Sequence, residues 1–195
     1  MKFVGEREVC FDPKELGFPS IQGCQAIVYV TTSGLFGFHN LGGERPDVWP
    51  ALTAAFGAFV RGNVNRGAGG KMLYGVCYPY SVRGYTGDQK AQWLAELKAF
   101  ASAVDYNGEI WGYDLANAQI APSAYVNFSH VQGKCVIQAR KWVDHEETKS
   151  ANTDPTNHKT TTPASPIYNI KDPAKVVTSV GTTPLKTYYP EKLRG

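Results

Sequence analysis

The sequence predicts an α+β fold, a mixed β-sheet sandwich with two main helices. Three observations lead to this prediction. Hydrophobic residues make up 43% of the 195 residues, which is enough for a sizeable core. Short β-branched and aromatic runs that end at turn residues alternate with two segments of near-3.6 apolar periodicity. Their order, roughly β-β-β-α-β-α-β-β-β, favours layers of helices on a mixed sheet.

The N-terminal third reads as strands and turns. Residues 2–11 predict a strand, and residues 12–23 predict a loop because they contain two prolines and two glycines. Residues 25–32 are rich in β-branched and aromatic side chains, which is typical of a strand. Ser33-Gly34 predicts a two-residue hairpin turn, and residues 35–40 then form the return strand.

Two helices and four further strands follow. Residues 46–61 predict a helix with Asp47 as its N-cap, and residues 88–104 predict a second helix capped by Asp88. A Gly-rich connection separates the first helix from a strand. The four predicted strands cover residues 71–78, 109–115, 124–130 and 134–143.

The composition divides the chain into two regions. Residues 1–144 carry the predicted elements and form the α+β domain, which is the candidate catalytic domain. Residues 145–195 are rich in Thr, Pro and Lys and predict a polar C-terminal arm. Apolar residues within the arm, such as Ile167 and Tyr188, could hold it against the domain.

Charge and hydropathy exclude several classes of partner. The net charge of +3 is scattered without a basic run, which argues against nucleic acid. No run reaches the roughly 18 apolar residues that a membrane span requires. Acidic residues stand where a signal peptide needs an apolar segment, so we expect synthesis in the cytoplasm, with export through a route that needs no cleavable signal left open. We expect a monomer.

Cys24 and His39 are the candidate catalytic residues. The four cysteines form no CxxC pair, and three lie in strand-like sequence, whereas Cys24 follows Gly23 at the start of a strand. A thiol nucleophile needs a base to take its proton and amide donors to face the oxyanion. His39 comes fifteen positions after Cys24, and Gly23 lets the chain bend so that amides face the sulfur.

The hairpin register decides whether the two side chains can meet. With Ser33-Gly34 as a plain turn, His39 faces Val28, roughly 13 Å along the strand from Cys24. A dyad then requires a longer turn, a β-bulge, or a Cys24 that curls back from the strand end. The alternative is that both residues only fill the core of a hairpin.

Residues 20–80 resemble a known family. Gly-Cys, an apolar strand, a turn, a second strand ending in His, then a helix and a strand resemble the cytotoxic necrotizing factor-type cysteine hydrolases. These are similar in layout to the chemotaxis receptor deamidases and the Burkholderia lethal-factor toxin. The resemblance implies that Cys24 is the nucleophile and His39 the general base, oriented by a backbone carbonyl or a hydroxyl. This chain has Gln22 where the family usually has Ser.

The resemblance further implies a function. It predicts a bacterial effector or virulence toxin that deamidates a glutamine side chain of a target protein through a thioester, with transglutamination as a side activity. The target would be a host regulatory protein such as a small GTPase. Neither a cofactor nor a metal is expected. Two alternatives stay open: a non-enzymatic binding or immunity-type module, and an amidase or peptidase acting on a small or cell-wall substrate.

Overall fold

The described residues form two β-sheets and two α-helices, which confirms the predicted α+β class. The computed structural model describes residues 2–42, 49–63, 69–131, 134–142, 158–160, 168–170 and 184–195. The helices are α1 (Trp49–Arg61) and α2 (Gln89–Ala103). Within the described residues, no helix is long and apolar enough to cross a bilayer.

The larger sheet is mixed and carries the candidate site. Its eight strands lie in the order β10 (His158–Thr160), β11 (Tyr168–Ile170), β2 (Glu8–Asp12), β5 (Gly34–Asn40), β4 (Gln25–Thr31), β6 (Gly70–Cys77), β7 (Ile110–Asp114) and β13 (Glu191–Arg194). The β4–β5 hairpin lies at its centre. β6 and β7 are parallel and are joined by the crossover helix α2.

The smaller sheet packs against one face of the larger sheet. Its five strands lie in the order β1 (Lys2–Phe3), β3 (Glu15–Ile21), β8 (Ala124–Val131), β9 (Lys134–Lys141) and β12 (Lys186–Tyr188). Side chains of both sheets meet in one apolar core, including Phe18 and Phe128 from the smaller sheet and Val28 and Val76 from the larger.

Alternation along β4 separates this core from a second one. Ala26, Val28 and Val30 face the smaller sheet, whereas Ile27 and Tyr29 face the helices. Successive strand residues point to opposite faces, so a strand apolar at every position is buried on both sides. All seven residues of β4 are buried accordingly. The helix-side core contains the aromatic cluster of Phe38, Phe56 and Phe100.

The predicted loop over residues 12–23 is wrong, because β3 occupies most of it. Gly17 is a close-approach site, since a Cβ there would overlap the Tyr125 hydroxyl. Pro19 lies where the β3–β8 register shifts between Phe18 and Ile21, beside Ser20 at φ 57°. Pro and Gly within a strand are typical of bulges and close contacts, and here they do not mark a loop.

Other predicted boundaries are confirmed to within a few residues. The predicted first strand divides into β1 and β2 around a turn at Glu6-Arg7. Asp88 is the N-cap of α2, and its side chain accepts from the Ala91 amide at 2.9 Å. The predicted N-cap Asp47 lies outside the described residues.

Parts of the C-terminal region extend both sheets. β12 pairs with β9 in the smaller sheet, and β13 pairs with β7 in the larger. At the opposite edge, β10 and β11 continue the larger sheet beyond β2. The described strands β11, β12 and β13 of residues 145–195 therefore pair with strands of residues 1–144.

Candidate active site

The β4–β5 hairpin places the two candidate residues on one face. Its connecting residues are Thr32 and Ser33, because Thr31 pairs with Gly34 and the register continues without a shift to Gln25 and Asn40. His39 therefore pairs with Ala26 and not with Val28. Neither the longer turn nor the bulge that the sequence required is present in this hairpin.

Gly34 explains the altered register. It adopts φ +142°, and a Cβ on it would lie 2.6 Å from the Asp12 carbonyl oxygen. The Thr31 hydroxyl closes the turn by donating to the Gly34 carbonyl at 3.1 Å. Gly34 is thus the first residue of the return strand and not the second residue of the turn.

Cys24 lies one residue before the first residue of β4, close to the position diagonal to His39. Cys24 precedes Ala26, the partner of His39, by two residues. Diagonal pairs on one face of an antiparallel ladder lie about 7–8 Å apart. Both side chains face the smaller sheet: Cys24 belongs to the inter-sheet core, and the His39 ring lies 6.2 Å from that of Phe18. Asn40 points to the other face, where it contacts Glu96.

His39 is fixed with one nitrogen free. Its Nδ1 lies 2.8 Å from the Val4 carbonyl oxygen, which can only accept, so Nδ1 carries the proton. Nε2 is buried and has no hydrogen-bond partner among the residues that the structure describes. The side chain is 1% exposed, and burial lowers its pKa to about 4 despite the Val4 bond. The imidazole is therefore neutral at neutral pH, with a free lone pair on Nε2.

Cys24 is held as a neutral thiol. It is 6% exposed, and Sγ lies 3.7 Å from Oε1 of Glu6. Burial and, second, the Glu6 charge raise the pKa of the thiol to about 11, against the opposing effects of the Gly42 amide and the Arg83 charge. No hydrogen bond joins Cys24 to His39 in this state, because Nδ1 is occupied by Val4 and Nε2 is unpaired.

Two glycines bring the ends of the hairpin together. A Cβ on Gly42 would overlap the Gly23 carbonyl oxygen, so the chains on either side of Cys24 and His39 touch through their backbones. This contact places the Gly42 amide at the Cys24 sulfur, where it favours the thiolate. The role of Gly42 was not predicted, because a backbone donor is independent of side-chain type. The only signal in the sequence was a glycine two residues after the strand that contains His39.

A buried polar cluster supports the same strand ends from the helix side. Glu96 of α2 accepts from Asn40, Arg83 and Tyr85. This cluster was not predicted from the sequence, because it depends on a glutamate on the buried face of α2. That face contains Trp93, Glu96, Leu97, Phe100 and Ala101. A glutamate spaced three and four residues from Trp93 and Phe100 was the available signal.

The chemistry of the site is that of a thiol and an imidazole. Among the described residues, no group of three His, Cys, Asp or Glu side chains is arranged to hold a metal ion. Burial also raises the pKa of two other cysteines, that of Cys77 well above its usual value and that of Cys135 to about 12.

Comparisons with known proteins add no assignment. No protein-family model matches this chain, and no curated protein matches it. The geometry of the site must therefore carry the functional interpretation.

Proposed function

We propose that this chain is a cysteine hydrolase in which Cys24 is the nucleophile and His39 the general base. One observation carries the proposal: Val4 holds the imidazole so that Nε2 is an unpaired base on the same sheet face as Cys24. A buried imidazole nitrogen without a partner is unfavourable, as is any buried polar atom left unsatisfied. A proton from Cys24 would give it a partner.

The pKa values determine how the reaction begins. A thiol with a pKa of about 11 beside an imidazole with a pKa of about 4 stays neutral at rest. The proton therefore moves only when a substrate carbonyl is attacked. The Cys24 side chain turns from Glu6 towards Nε2 and transfers its proton there as sulfur bonds to the carboxamide carbon.

The remaining steps follow from the same two groups. The carbonyl oxygen becomes an oxyanion, and the Gly42 amide, which interacts with the Cys24 sulfur, is a backbone donor for the developing charge. The imidazolium gives its proton to the leaving nitrogen, ammonia departs, and a thioester remains. Water, deprotonated by Nε2, attacks the thioester, and collapse of the intermediate releases the carboxylic acid and restores the thiol.

The substrate class comes from the resemblance and from access to the thiol. We assign a glutamine side chain of a target protein because a slender carboxamide can reach a thiol that is 6% exposed. An amine that replaces water would yield a transglutaminated product. The layout of residues 20–80 supports a role as an effector or toxin that acts on a regulatory protein of the small-GTPase kind.

A second candidate is a non-enzymatic binding module. The Glu6 contact and the raised pKa of Cys24 favour it, because both keep the thiol protonated and inert. On this alternative, Nε2 of His39 is simply an unsatisfied core atom.

Alkylation of Cys24 by iodoacetamide distinguishes the two candidates. We expect its rate in the wild type to be nearly independent of pH between about 5 and 9, since Nε2 is a free base throughout that range. His39→Ala should instead give a rate that rises about tenfold per pH unit, because only the thiolate then reacts. The rates are read for each cysteine by mass spectrometry, with His130→Ala as the matched control.

A steep wild-type profile that His39→Ala does not change would overturn the hydrolase proposal and favour the binding module. If the flat profile is found, the substrate is sought by incubating wild type and Cys24→Ser with a eukaryotic lysate. Glutamine-to-glutamate conversion that depends on Cys24 identifies the target by mass spectrometry.

A further inference from the structure

We infer that Arg83, anchored by Glu96, is a positioning residue that sets the geometry between Cys24 and His39. The inference rests on the proposed function and deepens it. Arg83 lies in the connection between β6 and α2, which leaves the larger sheet at the end where Cys24 lies, since Ala26 pairs with Val76 near the end of β6.

One guanidinium group joins the two strand ends. Nη1 of Arg83 donates to the Gly23 carbonyl at 3.1 Å and also to the Leu41 carbonyl. Gly23 directly precedes Cys24, and Leu41 follows His39 by two residues. The last ladder pair of the hairpin is Gln25 with Asn40, so Arg83 continues the connection between the strands beyond the point where their own hydrogen bonds end.

Glu96 contacts the same ends of β4 and β5 from the helix side of the sheet. It accepts from Asn40 Nδ2 at 2.5 Å. Gln25, with its amide oriented to satisfy both neighbours, donates to Glu96 at 3.2 Å and accepts from the Trp93 indole at 2.9 Å. Through Arg83 and Glu96, α2 thus controls residues on both sides of Cys24 and the two residues that follow His39.

The burial of this ion pair argues for a geometric role. Arg83 is 3% exposed and Glu96 is fully buried. Desolvation of two charges offsets most of their attraction, so a buried pair contributes little net stability compared with apolar packing. It does fix directions, because a planar guanidinium bonds only along set lines. The charge of Arg83 also lowers the pKa of Cys24, although Arg83 touches neither the sulfur nor the imidazole.

Arg83→Lys tests this role because it keeps the charge and removes the planar fork. An ammonium cannot reproduce the bridge between two carbonyls and a carboxylate. We expect the pH-independent, His39-dependent alkylation of Cys24 to fall by up to about a hundredfold, the scale of a 1 Å misplacement of reacting groups. The rise of the alkylation rate with pH above pH 9, which reports the thiolate alone, should change far less.

Arg61→Lys is the matched control, because Arg61 also donates Nη1 to a carbonyl, that of Ala103, on an exposed face. Folding of each variant is checked by circular dichroism. If Arg83→Lys does not fold, Glu96→Gln is used, since it keeps the shape and one oxygen acceptor. A folded variant with the wild-type profile overturns the positioning role, and so does loss of the fold in both variants.

The two proposals fail in different ways. If the wild type and His39→Ala share one profile, the proposed hydrolase fails and Arg83 has no dyad to position. If the wild type is flat and His39-dependent while Arg83→Lys keeps both the flat profile and the wild-type rate, the hydrolase stands and only the role of Arg83 is lost.

Discussion

At the scale of single residues, Glu6 controls the resting state of the site. It lies in the turn between β1 and β2, exposed to solvent, and its carboxylate accepts from the Cys24 thiol. The same connection, residues 4–7, supplies the Val4 carbonyl that Nδ1 of His39 contacts. Its Arg7 amide donates to the His39 carbonyl at 2.9 Å. One short segment therefore orients the imidazole of His39 and contacts the thiol of Cys24.

Glu6→Gln should make Cys24 more reactive. The substitution removes the negative charge that helps raise the pKa of the thiol, while burial continues to act. We expect alkylation of Cys24 at pH 9 to become several-fold faster in the His39→Ala background, where the thiolate alone reacts. Glu109→Gln, at an exposed position paired with Lys192, is the control. An unchanged rate would show that Glu6 does not influence the thiol in solution.

His39 should make the protein sensitive to acid. Its pKa is about 4 in the folded chain, below the ordinary value of 6.5, so between these values the unfolded chain binds a proton that the folded chain does not. The free energy of unfolding must then fall as the pH drops from about 6.5 to 4, by on the order of 3 kcal/mol. His39→Gln should remove this slope in urea titrations, and equal slopes would contradict the burial of a neutral imidazole.

At the scale of elements, the α1–α2 contact depends on one glycine. A Cβ on Gly57 would overlap the Ala103 carbonyl oxygen at the end of α2, so the helices touch there through their backbones. Gly→Ala in an open helix position stabilises by about 1 kcal/mol. Gly57→Ala should instead lower the melting temperature, because the two helices must move apart. Ala54→Ser, on the exposed face of α1, is the control, and a higher melting temperature for Gly57→Ala would contradict the contact.

Element types were more predictable than the pairing between elements. The β4–β5 hairpin followed from composition, but its register depended on Gly34, whose φ is set by contact with Asp12 and Pro13 of the preceding strand region. Likewise, β3 was not predicted because it contains Pro19 and Gly17, which usually indicate a loop. Pro19 lies at a register shift, and Gly17 makes room for the Tyr125 hydroxyl of another strand. These constraints act between distant segments, so local patterns cannot contain them.

At the scale of the whole molecule, residues 184–195 connect the edges of both sheets. β12 and β13 are consecutive in the chain, yet each extends a different sheet. Arg194 donates to the Gly108 carbonyl at 2.7 Å, and Lys192 pairs with Glu109 above the Trp111 ring. The final strand is therefore part of the fold, in addition to any role of the region in binding a partner.

Removal of residues 184–195 should destabilise the protein. The deletion exposes the edges of β7 and β9 and uncovers the apolar contact of Leu193 with the helix-side core. We expect a lower melting temperature and concentration-dependent association, since free edge strands pair with one another. Lys192→Ala, which removes a surface ion pair and an exposed cation–π contact with Trp111, should cost far less than the deletion. A truncated chain that melts like the full chain would show that these strands contribute no stability.

Only the two proposed catalytic side chains of the candidate site were predictable. Cys24 and His39 can be selected from residue type, spacing and the preceding glycine. Their supporting groups are a carbonyl of Val4, an amide of Gly42 and the guanidinium of Arg83. Backbone atoms are present at every position, and Arg83 lies more than forty residues from either reactive residue, so only the folded chain identifies them.

The contact between Glu6 and Cys24 also bears on the design of covalent probes. A neutral electrophile must displace a carboxylate from the thiol and gains nothing in return. A warhead that carries an ammonium group could take the place of the thiol as the partner of Glu6 and leave the sulfur free to turn towards Nε2. Because Val4 and Glu6 lie in one short connection, a bulky group that displaced it would also break the hydrogen bond between His39 and the Val4 carbonyl. We therefore expect selective reagents for this site to be cationic and slender.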